Sequence, residues 1–173
     1  ANRFNWGDYA AGVDYGRRSV AIAREHGLEE QAALSAQDLA QNLATHGDLV
    51  EAERMLADSI AYWLKVGNLP LAANGLRSRA EIEWLHGDLA AADRTMGQAF
   101  EIDERTANVW GRAFSRLLIG GLHAERGRFE ASIAILEESL AIADASELVV
   151  LRLSIGTTLA AVLIAAGHPE RAL

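Results

Sequence analysis

The stretch Gly47-Asp48-Leu49-Val50-Glu51-Ala52 decides the fold, because its pattern recurs along the chain at one fixed step. Gly7-Asp8, Gly47-Asp48, Gly87-Asp88, Gly127-Arg128 and Gly167-His168 stand 40 residues apart, one after another. The surroundings keep the same register. Two places after each glycine come Tyr9, Leu49, Leu89, Phe129 and Pro169, and five places after come the small residues Gly12, Ala52, Ala92, Ser132 and Ala172. Val20, Ile60, Phe100 and Leu140 follow thirteen places on, while Ala40, Ala80, Gly120 and Ala160 precede the later glycines by seven. Self-similarity at such a period is the mark of a stacked repeat.

Each repeated feature has a physical reason. A glycine ends one helix because it takes the left-handed conformation without a Cβ penalty. The aspartate after it is placed to cap the next helix by accepting free backbone N–H groups. Arg128 and His168 lack that ability, so the helices they precede are expected to start more weakly. Small residues let paired helices approach, and the large apolar ones fill the space between pairs.

The periodicity predicts helices over 8–25, 30–46, 48–65, 70–86, 88–104, 108–126, 128–144 and 147–166, with a ninth starting near 168. His26-Gly27, Gly67-Asn68-Leu69-Pro70 and Asp144-Ala145-Ser146 read as longer turns between pairs. No Pro/Gly/Ser-rich linker interrupts the series, so the expectation is one array over residues 1–173. Four full helix pairs are expected, with partial units at both ends. The chain opens at Ala1 without a methionine, and its last complete helix is very apolar. These two features predict a segment of a longer protein, continuing past residue 173 or covered at that end by a second copy.

Gly47-Asp48-Leu49-Val50-Glu51-Ala52 and Gly127-Arg128-Phe129-Glu130-Ala131-Ser132 resemble the turn between the two helices of a tetratricopeptide repeat (TPR). The usual unit has about 34 residues, so the units here are longer, a form similar to the arrays of bacterial LuxR-like and maltose-activator-type multidomain regulators. The resemblance implies an all-α fold, a right-handed α-solenoid of antiparallel helix pairs. The proline that usually closes a unit is missing, since Arg24, Leu64, Glu104 and Asp144 occupy its place. HEAT-like arrays share a similar period, but the Gly-Asp turn followed by a small residue argues against them.

Composition narrows the function. The net charge is −8, from 24 acidic against 16 basic residues, which predicts no direct nucleic-acid contact by this segment. There is no cysteine, hence no disulfide, thiolate metal site or cysteine nucleophile. The apolar run from Leu148 to Ala166 is interrupted by Arg152 and keeps the helical register of the earlier units, so no membrane span is predicted. No phosphate-binding loop, nucleophile elbow, zinc-protease or EF-hand signature occurs, and the chain is expected not to be an enzyme and to carry no cofactor.

His46 and His86 share one repeat position at the ends of successive helices, where a cation meets the helix dipole favourably, and no metal site is predicted from them. His123 reads as a satisfied core or groove histidine. Trp63 and Trp110 are expected to fill gaps between pairs, Trp6 to shield the N-terminal edge, and Gly120-Gly121 to serve a helix contact. Arg79 and Glu83 stand four apart as an ion pair. Arg112, Arg116 and Arg152 form a basic stripe set to meet acids such as Glu137 and Glu138 in a structural network.

By the resemblance, the concave groove is lined by Gln37, Gln41, Asn74, Arg77, Glu81, Trp84, Phe114 and Leu117. That strip implies a protein or peptide partner and a scaffold role inside a cytoplasmic bacterial regulator. Two other readings stay open: a structural array that self-associates, with a homodimer through the apolar C-terminal end, and a small-molecule sensor.

Overall fold

A computed structural model describes residues 9–172. The anchors Gly7 and Asp8, and Trp6, fall outside the described residues. Eight α-helices follow one another: α1 Tyr9–Glu25, α2 Glu29–Thr45, α3 Leu49–Val66, α4 Leu69–Leu85, α5 Leu89–Arg105, α6 Val109–Glu125, α7 Phe129–Ala145 and α8 Val149–Ala165. No strand occurs among the described residues. The fold class is all-α, and the predicted helix bounds hold to within a few residues. The ninth element is a short 3-10 turn, Pro169–Arg171, rather than an α-helix.

Three anchored turns, at Gly47, Gly87 and Gly127, have an α-helix on each side among the described residues. The glycine sits in the middle of each unit, so the series opens inside one unit with α1 and closes inside another with α8.

The turns are more alike than the sequence suggests. Gly27, Gly47, Gly67, Gly87, Gly127 and Gly167 all have left-handed backbone, and so do Ala107 and Glu147. Every turn therefore repeats at 20 residues, and those read as longer are the same as the rest. In each, two backbone bonds close the preceding helix. Gly47 N–H donates to the Ala44 carbonyl at 3.0 Å and Asp48 N–H to the Leu43 carbonyl at 2.9 Å, and the other turns follow that pattern.

Capping differs from expectation. Asp48 stands at the start of α3 but makes no side-chain cap bond, because its ψ of 56° holds the carboxyl away from the free N–H groups. Asn68 and Asn108 cap instead, accepting from Leu71 N–H at 3.4 Å and Gly111 N–H at 3.1 Å. Helices α4 and α6 are thus capped by the asparagines that precede them.

The chain divides into two compact units, residues 1–88 and 89–173. In the first, α2 packs on α1, α3 and α4. Trp63 is buried there against Ala33 and Ala72 and fills a gap as expected, with Tyr62 edge-on at 5.0 Å. Gly75 is essential to the approach of α4, since a Cβ on it would lie 2.6 Å from Ile60 Cγ1. In the second unit, α6 packs on α5, α7 and α8 around Ala113, Leu117, Leu136, Ile155 and Leu159. Gly120 is the helix contact expected: its Cβ would sit 2.6 Å from Leu136 Cγ.

Ion pairs cross these helices on the surface. Arg112 and Arg116 share Glu104, at 2.9 and 3.0 Å, and Arg116 also reaches Glu138 at 3.3 Å. Glu137 pairs with Arg171 at 2.9 Å rather than with the stripe, while Arg152 meets Asp144 at 3.5 Å. Arg79 and Glu83 pair at 3.0 Å as predicted. No helix among the described residues is long and apolar enough to cross a membrane.

Candidate functional site

The first unit has a cleft of about 310 Å³ between α2 and α4. Helix α2 supplies Gln41, Ala44 and Thr45, and α4 supplies Ser78, Glu81, Trp84 and Leu85. Spacings of three and four bring these residues onto one face of each helix. Gln41, Thr45 and Leu85 are exposed and form the rim, while Ala44, Ser78, Glu81 and Trp84 are half-buried.

Glu81 is the one charged residue lining the cleft. Desolvation pushes its carboxyl up to about 6, against the opposing pull of the Arg77 guanidinium one turn earlier on α4. One turn before Gln41 on α2, the Asp38 carboxyl is also raised by desolvation. The result is an indentation with an aromatic wall, an amide and two hydroxyls at its edges, and an incompletely solvated acid.

The eight residues predicted to line a groove divide into three groups. Gln41, Glu81 and Trp84 come together in the cleft. Asn74 is half-buried on α4, and its Oδ1 accepts from Arg77 Nη2 at 3.5 Å. Phe114 is half-buried in the second unit and stacks on Trp110 with ring centroids 4.7 Å apart. Gln37, Arg77 and Leu117 correct the expectation. Gln37 is 4% exposed and donates its amide to the Leu71 carbonyl at 2.9 Å, bracing α2 against α4. Arg77 is 1% exposed, and Leu117 belongs to the core of the second unit. All three project toward helix neighbours rather than toward the open face.

Sequence reasoning missed Ala44, Thr45, Ser78 and Leu85. The signal was present, since they lie three or four places from Gln41 and Glu81 on the same helices. Trp110, expected to fill a gap, is 42% exposed.

The histidines have local roles. The His46 ring stacks on Tyr9 at 3.6 Å, and His86 Nδ1 lies 3.3 Å from Glu53 Oε1. His123 differs from expectation: its Nδ1 is buried without a hydrogen bond, and desolvation with nearby Arg128 and Arg126 lowers its pKa against the pull of Asp93. Among the described residues no group of three His, Asp or Glu side chains is placed to hold a metal ion.

The chain matches no protein-family model and no curated protein. Solved structures do resemble it. One is a Podosopora anserina protein described as a kinesin light chain with nearly identical TPR-like repeats, at 20% identity and a TM-score of 0.72. That alignment covers 98% of this chain and 84% of the other. BtubC from P. vanneervenii aligns at 19% identity with a TM-score of 0.73, over 98% of this chain and 71% of its own. Likeness at this level establishes the fold as TPR-like helical repeats, and nothing finer.

Proposed function

We propose that the chain is a protein- or peptide-binding scaffold, one TPR-like array over residues 1–173 with no catalytic role. The observation that carries this reading is the α2–α4 cleft with half-buried Trp84 in its wall. An aromatic partly desolvated in a preformed indentation is the kind of anchor on which interface energy concentrates. The rim of exposed Gln41, Thr45 and Leu85 leaves the cleft open to an approaching chain, whereas a sensor for small molecules needs an enclosing pocket. The long units and their resemblance to regulator arrays support a setting within a larger cytoplasmic bacterial regulator. The charge of −8 supports a partner other than nucleic acid.

The test is selection of random dodecapeptides displayed on phage against the 173-residue chain, followed by binding to Trp84→Ala and Gln41→Ala. Peptides that enrich on the native chain are expected to lose affinity for both variants at unchanged helix content. The reading fails if no peptide enriches, or if enriched peptides ignore both substitutions.

A second reading, self-association through the last helix, has its own observation. Val150, Leu153 and Ile164 are 80%, 63% and 60% exposed, and the helical repeat sets them on one face of α8. Sedimentation equilibrium tests it: a dimer that dissociates on Leu153→Glu supports this reading, and a native monomer at all concentrations sinks it.

A further inference from the structure

We propose that the α2–α4 cleft is a subsite for a cationic side chain, an arginine or lysine presented by a protein partner. The inference rests on the scaffold reading and adds the chemistry of the partner.

Charge complementarity comes first. Of the seven residues lining the cleft, Glu81 alone is ionisable. Among the described residues its carboxyl takes part in no hydrogen bond and no ion pair. The other acid of α4, Glu83, has Arg79 at 3.0 Å, and Glu53 on α3 has His86 at 3.3 Å. Arg77 is the charge that acts on Glu81 from its own helix, and it is 1% exposed, closed off from an incoming ligand. From α2 the lining residues Gln41, Ala44 and Thr45 are neutral, and Asp38 one turn earlier adds a second negative charge to that helix.

The other walls suit the same ligand. An indole face attracts an ammonium or guanidinium through its quadrupole, and Trp84 stands one turn past Glu81. Ala44 and Leu85 offer apolar contact to a long methylene stem. The Gln41 carbonyl oxygen and the Thr45 and Ser78 hydroxyls supply acceptors, the group that a guanidinium with five donors requires. Alternatives fare worse. An anion would face Glu81 directly, and an apolar side chain would strip remaining water from the carboxylate without replacing it. At about 310 Å³ the cleft lies at the small end of ligand pockets, roughly 300–1,000 Å³, which suits one long side chain rather than a cofactor.

The experiment uses the dodecapeptides enriched on the native chain. An enriched peptide is resynthesised with its arginine replaced by citrulline, or its lysine by norleucine, and each is titrated against native protein and Glu81→Gln. Among the described residues the Glu81 carboxyl makes no hydrogen bond, so this variant is expected to retain the native helices, and the peptide arm leaves the protein untouched. Either change alone is expected to weaken binding about tenfold or more, as for a charge-assisted contact, and the two together no more than one alone. If the neutral peptide or Glu81→Gln binds as well as its parent, the cationic subsite is overturned while the scaffold reading stands. An enriched set that holds neither arginine nor lysine overturns it in the same way. If no peptide enriches at all, the scaffold reading falls and takes this one with it.

Discussion

The Ser139 hydroxyl donates to the Ala113 carbonyl at 2.7 Å, tying α7 to α6 with both residues buried. Ser59 makes the same bond to Ala33 at 2.9 Å, at the equivalent positions of α3 and α2. The unit between them has Ala99 at that position, fully buried. A small side chain is therefore what the helix approach demands, and the hydroxyl adds a bond to a helix carbonyl that has a spare lone pair.

Replacing Ser139 by alanine tests the bond without disturbing the approach. The loss expected is about 1 kcal/mol, that of one net hydrogen bond, with no cavity penalty beyond a single oxygen. Ser139→Val is expected to lose more, because its added methyl groups meet the Ala113 backbone. Urea unfolding of the three proteins gives the ranking, and equal midpoints for Ser139→Ala and native protein refute a stabilising bond.

Ala107 and Glu147 hold φ of 50° and 54°, where every other turn uses glycine. The left-handed region costs a side chain about 1 kcal/mol, so Ala107→Gly and Glu147→Gly are each expected to stabilise by about 0.5–1 kcal/mol. The greater freedom of glycine in the unfolded chain trims the gain. The reverse change, Gly127→Ala at φ of 67°, is expected to destabilise by a similar amount. Thermal unfolding separates the set. A fall in midpoint for both glycine variants would mean the turns are not strained.

Those two residues also explain why half of the periodicity escaped the sequence. The 40-residue step is legible because glycine stands at each anchor, and the helix bounds follow from it. The finer step of 20 is hidden where Ala107 and Glu147 replace glycine. The assignment of a cap to Asp48 followed residue type, whereas the bond depends on ψ: 94° at Asn108 reaches the helix N–H and 56° at Asp48 does not. Groove residues were legible only in part. Resemblance selects a helix face, but a single turn of α2 separates exposed Gln41 from buried Gln37, whose amide is used up on Leu71. Nothing in the spacing indicates that Arg77 lies inside.

Mid-helix glycines divide into two groups with opposite expected responses to alanine. Gly75 and Gly120 lie where a Cβ would come within 2.6 Å of Ile60 and Leu136. Alanine there is expected to destabilise by about 1–3 kcal/mol through overpacking. Around Gly97 and Gly156 nothing lies within 4 Å of the added carbon, so the helix propensity of alanine acts alone. Those substitutions are expected to stabilise by about 0.5–1 kcal/mol. Denaturant midpoints that fail to separate the two pairs would contradict the close helix approach in both units.

Glu81 makes stability depend on pH in a defined direction. Its carboxyl titrates near 6 in the fold, against an ordinary 4.5, chiefly because the cleft desolvates it. The native state therefore holds this proton more tightly than the unfolded chain does, and the ionised form is the one the fold disfavours. The penalty is absent well below pH 4.5, grows between 4.5 and about 6, and is complete above that window. The difference in pKa corresponds to about 2 kcal/mol, which the partial solvent contact of the side chain reduces to about 1 kcal/mol. Glu81→Gln removes the penalty and leaves every other titrating group common to both proteins. It is expected to match the native chain at about pH 4 and to exceed it by about 1 kcal/mol at about pH 8. Urea unfolding at both pH values measures the difference, and a constant gap or none would show that the cleft does not desolvate this acid. A cation that pairs with Glu81 relieves the same penalty, so the instability of the empty cleft is a source of affinity for the side chain that fills it.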